Sequence, residues 1–224
     1  MLYVFIAFCI ILSCAAIICT NLLSEKFSKY KNGLNLTGQE FIKMFIKDNN
    51  LNQVDIEHNG NDDYFDLEQG TINLSDYTYN KNTVTSIAIA AHECGHVLQA
   101  AKSPFLLIFR RIFLIHVTAI TYLSAVLISI SYLMQIGALM NVATGLLFIS
   151  LIFQFFTLPI ETDASEKAYA YLKSKGLDKD ELAAIRKLLF ISSISYFGNL
   201  FLNVFKMFKI TWGFKKKEIK YDAC

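Results

Sequence analysis

Long apolar runs alternate along this chain with shorter mixed stretches, and that alternation sets the expected architecture. Residues 2–22, 112–133 and 136–158 carry no formally charged side chain if His116 is neutral. Runs of about 20 apolar residues match the thickness of a bilayer. The first lacks a basic leading region and a clear cleavage site, so it reads as a retained membrane helix, with an uncleaved export signal as the alternative. Lys26, Lys29 and Lys31 follow it and favour the cytoplasmic side for what comes next. The second and third runs are separated by little more than Met134-Gln135 and predict an antiparallel membrane hairpin. Residues 188–210 are apolar again, but Ser192, Ser195, Asn199, Asn203 and Lys206 recur at helical spacing. That helix has one polar face, and it either crosses the membrane or lies partly in its surface before Lys215-Lys216-Lys217.

The mixed stretches have a different grammar. Thr37 followed by Glu40 is a capping box for a helix over residues 38–48, with Phe41, Met44 and Phe45 as its apolar face and Asn49-Asn50 as its end. Residues 53–58 alternate with strand period, Asn59-Gly60 signals a turn, and Tyr64-Phe65-Asp66-Leu67 returns the chain as a second strand. Gln69-Gly70 makes a further turn before Thr71-Ile72-Asn73-Leu74-Ser75. This last strand suits a sheet edge free to accept an extended peptide; the competing reading is a covered edge that only stabilises the small sheet.

Composition sharpens the class. The 224 residues are 54% hydrophobic and 18% charged, with a net charge of +2, and the mean hydropathy is +0.40. That is too apolar for an ordinary soluble enzyme of this length, and the small net charge leaves no general nucleic-acid footprint. Cys9, Cys14, Cys19, Cys94 and Cys224 show no metal-type pair spacing and no disulfide framework.

Chemistry concentrates in residues 88–101, a run of small and apolar residues containing His92-Glu93-Cys94-Gly95-His96. On a helix a spacing of four stacks His92 and His96 on one face, where both imidazoles reach one cation. Glu93 projects beside that face and can act as general base on a water at the ion's open side. Imidazole nitrogen with carboxylate oxygen and an open position favours zinc. Thr83 can cap this helix, and Gly95 leaves room for another element to approach closely. Cys94 points away from the ligand face and is expected to be structural. His58, beside a turn, and His116, within an apolar run, are better explained as a strand-end and a packing histidine than as ligands.

A third ligand is expected from Pro159-Ile160-Glu161-Thr162-Asp163-Ala164-Ser165-Glu166. Two membrane crossings would return this segment to the side of the histidines. Glu161 is the preferred ligand, with Asp163 then accepting a proton from a liganding histidine or organising a neighbouring helix. The reverse assignment stays open, and Glu166 lies further round in solvent. A charged helix start served by unpaired backbone N–H groups is compatible with either.

Taken in order, Leu36-Thr37-Gly38-Gln39-Glu40, Asp63-Tyr64-Phe65-Asp66, Ile72-Asn73-Leu74-Ser75, Ala90-Ala91-His92-Glu93-Cys94-Gly95-His96 and Leu158-Pro159-Ile160-Glu161-Thr162-Asp163-Ala164-Ser165 resemble the neutral zinc metallopeptidases of bacterial membrane proteins, zinc peptidase family 2. The resemblance implies zinc on His92 and His96, catalysis by Glu93, and a remaining ligand from residues 161–163. The plan is also similar to the membrane-embedded gluzincins. There an alanine-aspartate pair follows the ligand glutamate, whereas Glu161-Thr162-Asp163-Ala164 brings the aspartate nearer and leaves the roles of Glu161 and Asp163 open.

The expected protein is therefore integral to the membrane and mainly α-helical, with a small α+β zincin-like unit on a bundle of about four membrane or membrane-associated helices. Its segments are an N-terminal membrane helix (1–23), a catalytic part (24–104), a membrane hairpin (105–160), a third-ligand segment (161–187) and a C-terminal helix with basic tail (188–224). The expected function is zinc-dependent endopeptidase action, with one catalytic ion, on peptides or membrane proteins, with the lipid bilayer as a partner and nucleic acid excluded. The expected place is the cell membrane, multi-pass, with the site on the cytoplasmic side. The alternative is a catalytically idle scaffold fastened by zinc, and intact Glu93 speaks against it; a transporter would need paired broken helices that this pattern lacks. The sequence sets no oligomeric state.

Overall fold

The computed structural model describes residues 2–194. It is mainly α-helical with one small sheet, in the order α1 (Leu2–Phe27), α2 (Gly38–Asp48), β1 (Asp55–Gly60), β2 (Tyr64–Asp66), β3 (Thr71–Ser75), α3 (Asp76–Asn80), α4 (Val84–Lys102), α5 (Pro104–Met134) and α6 (Gly137–Ser174). Residues 179–194 are helical as well and are called α7. The described residues divide into two compact units, one of residues 18–112 with 156–193 and one that includes 2–17 and 113–155.

In the first unit the local signals explain the elements. At α2 the Thr37 side chain accepts from the Glu40 N–H while the Glu40 carboxylate reaches back to the Thr37 N–H, and Gly38, Phe41, Ile42 and Phe45 bury one face. Thr83 and Ser86 make the same reciprocal cap for α4. Such caps stabilise a helix start by roughly 1 kcal/mol. Helix α4 is buried on nearly every side, with Ile87, Ala88, Ala90, Ala91, Cys94 and Val97 in the core beside Phe41, Phe45, Ile72 and Leu74. Small residues allow other elements to close on it.

The sheet corrects one expectation. Its order is β1-β3-β2, with β3 parallel to β1 and antiparallel to β2. All five residues of β3 are buried, so Thr71–Ser75 is the central strand and offers no edge to a peptide. The turn at Asn59-Gly60 does form, with Asn59 Oδ1 accepting from the N–H groups of Asn61 and Asp62. It reverses the chain without pairing β1 to β2, because the fully buried β3 takes the place between them.

Helix α6 runs unbroken through Pro159, where the sequence suggested a helix beginning. Its C-terminal half is tied to α2. Tyr171 packs edge-on against Phe41 and Phe45 at 5.7 and 4.8 Å between ring centroids, and its hydroxyl donates to Asp48 at 2.6 Å.

In the second unit α5 and α6 form an antiparallel pair. Phe113 meets Phe153 edge-on at 5.2 Å, and the hydroxyls of Thr121 and Ser150 bond to each other. Gln135 turns the chain with φ of 57°.

Among the described residues one helix, α5, is long and apolar enough to cross a membrane. Among the described residues the apolar segment Gly137–Ser150 of α6 falls in a shorter class. The multi-pass cell-membrane placement is therefore corrected, and the bundle of about four membrane helices is not what the described residues form. The cytoplasmic assignment of the site, which rested on the basic flank at Lys26, Lys29 and Lys31 together with two crossings that cancel, falls with that topology. The polar stripe beyond Ser192 and the basic tail of the C-terminal helix expected over 188–224 lie outside the described residues from 195 onward.

Candidate metal centre

The site lies wholly within the first unit, where α4, α6 and the start of α5 meet. The four-residue spacing on α4 stacks the two imidazoles, with ring centroids 4.8 Å apart and planes at 82°. Gly95, between them on the facing side, lets the backbone of α6 approach so closely that a Cβ there would sit 2.2 Å from the Ala164 carbonyl oxygen. That approach brings Glu161, on the same helix, over the histidines.

Glu161 Oε2 lies 3.3 Å from His92 Nε2 and 3.6 Å from His96 Nε2. These atoms form the one His/Cys/Asp/Glu cluster fit for a metal among the described residues, all within 4.8 Å of one another. A tetrahedral ion about 2.0–2.1 Å from each ligand separates its ligand atoms by roughly 3.3 Å, so the spacing suits zinc. Glu161 is fully buried, and neither carboxylate oxygen receives a hydrogen bond. Arg110 Nε stands 2.6 Å from Oε1, but it approaches as a charge and not as an aligned donor. A buried carboxylate with both oxygens undonated calls for a cation at Oε2.

The outer nitrogens are engaged elsewhere. His96 Nδ1 is 2.9 Å from Gln99 Oε1. The Gln99 amide donates from Nε2 to the Ile160 carbonyl and to Asp163 Oδ2, both at 2.7 Å. Because the NH2 group is spent on two acceptors, its carbonyl oxygen faces His96, and His96 Nδ1 must carry the proton. That leaves the lone pair of Nε2 available to a cation. His92 Nδ1 is 3.1 Å from Ser165 Oγ.

The electrostatics follow from burial and neighbours. Burial works against the charge of Glu161, yet His92, His96 and Arg110 hold its carboxyl well below the usual range. Burial also opposes a charged His92, but the Glu161 and Glu93 carboxylates outweigh it and raise its pKa. Glu93 is buried, and burial raises its carboxyl above the usual range while the two histidines pull in the opposite direction.

Asp163 stands outside the cluster. It accepts from Gln99 and pairs with Lys167, so it reaches His96 through an amide rather than directly. Glu166 pairs with Arg186 at 3.7 Å on the surface. His58 is remote from the cluster, 2.5 Å from Asp76 and stacked on Tyr79. His116 is an exposed residue of α5 in the other unit. Cys94 is buried in the core, and burial raises its thiol pKa, which suits an inert packing group.

Sequence reading singled out neither Gln99 nor Ser165 and took Arg110 as part of a basic edge. Gln99 stands three residues after His96 and Ser165 four after Glu161, spacings that share a helix face with those two residues and could have flagged both. Nothing local marks Arg110 as the partner of Glu161.

A family model described as "Putative neutral zinc metallopeptidase" matches residues 2–214. The chain belongs to this family. A Bacillus subtilis (strain 168) protein titled "Putative membrane protease YugP" is 28% identical over 193 residues, covering 83% of this chain and 84% of its own length. No solved structure matches the chain. For this neutral zinc metallopeptidase, the His92, His96 and Glu161 cluster is consistent with a catalytic metal site, and the function is that of a zinc-dependent peptidase.

Proposed function

We propose that the chain is an endopeptidase that holds one catalytic zinc ion on His92, His96 and Glu161, uses Glu93 as general base, and acts on membrane or membrane-associated proteins. The observation that carries this reading is the convergence of His92 Nε2, His96 Nε2 and Glu161 Oε2 beside a buried Glu93. When bound there, zinc supplies Lewis acidity and lowers the pKa of a water at its open position.

The residues divide the remaining work. Glu93 accepts the proton of the attacking water and returns it to the departing amine nitrogen. Its raised pKa helps the second half, because a carboxyl that binds its proton more tightly keeps it until the amine leaves. Gln99 and Asp163 hold His96 in the tautomer that presents Nε2. Arg110 balances the charge of Glu161 from the Oε1 side. No covalent enzyme intermediate is required.

An idle scaffold would have no use for Glu93. Burying an ionised carboxylate costs several kcal/mol, a penalty that a structural site could avoid with a neutral side chain. The substrate assignment is supported by the apolar character of the chain and by α5 as a candidate membrane span.

The test uses the full chain in detergent with an unfolded protein substrate. A chelator should stop cleavage and stoichiometric zinc should restore it. Cleavage that continues in the metal-free protein would reject the reading.

A further inference from the structure

The contact at His92 Nδ1 continues beyond Ser165 to a residue that touches neither metal ligand nor substrate. Ser165 Oγ lies 3.0 Å from Ser193 Oγ, and Ser193 Oγ lies 2.9 Å from the Leu189 carbonyl, one turn earlier on α7. Both serines are buried.

The order of the protons follows from the far end of this chain. The Leu189 carbonyl can only accept, so the Ser193 hydroxyl donates to it. Ser193 Oγ then accepts from the Ser165 hydroxyl, and Ser165 Oγ accepts from His92 Nδ1–H. The reverse order would set a hydroxyl lone pair against the Leu189 carbonyl at 2.9 Å. It would also make His92 Nδ1 an acceptor and place the proton on Nε2, against the ion.

We propose that Ser193 is a positioning residue for the metal centre: through Ser165 it fixes His92 as the Nδ1–H tautomer and leaves Nε2 free to bind zinc. The two histidines are thereby set by different elements. The relay for His96 is anchored on α6 through Ile160 and Asp163, and that for His92 ends on a backbone carbonyl of α7. Helix α7 thus contributes to metal affinity without supplying a ligand. This proposal rests on the zinc site proposed above.

A conservative pair of variants separates hydrogen bonding from packing. Ser193 lines a cavity of about 510 Å³ together with Ala183, Leu189 and Phe190, so an added methyl group has space. Threonine keeps a hydroxyl that can bond the carbonyl four residues earlier, whereas valine has nearly the same shape without it. Zinc affinity of the full-length wild type, Ser193→Thr and Ser193→Val is measured by competition with a chromophoric chelator. Nitrogen-15 NMR of the zinc-loaded proteins reports the slowly exchanging His92 Nδ1–H proton.

Loss of an outer-sphere partner of a metal-bound histidine typically weakens binding about 10- to 100-fold. Ser193→Val should fall by about tenfold and lose the slowly exchanging proton, and Ser193→Thr should retain both. Equal affinities in the valine and threonine variants, with wild type binding zinc, would overturn the relay alone. A wild type that takes up no zinc would overturn the metal site and the relay with it.

Discussion

Gly95 and Ala164 are in direct backbone contact: a Cβ on Gly95 would stand 2.2 Å from the Ala164 carbonyl oxygen and 2.8 Å from its carbon. Neither atom can yield as a flexible side-chain end does, so α4 and α6 would have to separate. Overpacking of this kind costs about 1–3 kcal/mol, and separation also withdraws Glu161 from the histidines. Gly95→Ala should lower the melting temperature by several degrees and weaken zinc binding together. Unchanged values of both in calorimetry and zinc titration would contradict the close approach as the device that assembles the site.

Arg110 should matter most when no metal is bound. Its side chain is largely buried against a fully buried Glu161, and removing one partner of such a pair costs about 3–5 kcal/mol. In the proposed site zinc would supply a substitute cation at Oε2. Arg110→Met should therefore destabilise the zinc-free protein more than the zinc-loaded protein. Equal losses in thermal unfolding of the two forms would show that Arg110 does not balance the Glu161 charge.

The histidine pair was legible because one helix carries both residues at a fixed spacing, and Thr83 marks the beginning of that helix. Glu161 was legible only as one of two acidic candidates. The choice between neighbours two positions apart depends on how α6 is rotated, and that is set by Gly95 and by Tyr171 packing against Phe41 and Phe45. Strand existence was readable from alternation, but strand order was not. Burial of all five β3 residues places that strand in the centre, a tertiary outcome that a turn signal at Asn59-Gly60 cannot reveal. Long apolar runs suggested several crossings, while helix length and apolarity over the described residues support α5.

Asp163 and Glu161 should separate cleanly by substitution. Glu161→Gln removes the carboxylate that faces both histidines and should abolish tight zinc binding, as should His92→Ala. Asp163→Asn loosens the Gln99 amide that faces His96 and removes the ion pair with Lys167, but leaves Glu161 in place, so it should keep zinc with affinity reduced about tenfold, in the lower part of the range for outer-sphere partners. Zinc titrations that rank the two acidic positions in the opposite order would move the third ligand to Asp163.

Zinc and protons should compete, with a sign set by the two shifted groups. The depressed carboxyl of Glu161 contributes stability that is present above the ordinary carboxylate pKa and is lost as pH falls through its folded value. The raised His92 contributes stability that is present below the ordinary histidine pKa and is lost as pH rises through its folded value. The zinc-free chain therefore loses the His92 contribution on the alkaline side, where deprotonated imidazole binds the ion best. The rise in melting temperature on adding zinc should grow as pH increases from about 6.5. A zinc increment that is flat or shrinks over that range would contradict the assignment of His92 to the metal.

The central claim, hydrolysis with Glu93 as base beside a metal held by other residues, is tested most directly by Glu93→Gln in the full-length protein, with zinc content and peptide cleavage measured on the same sample. Zinc content should remain near that of the wild type while cleavage falls by at least about a hundredfold, the lower end of what general acid–base catalysis contributes. Loss of zinc with the activity would make Glu93 a ligand or structural support, and full zinc with undiminished cleavage would remove it from the mechanism.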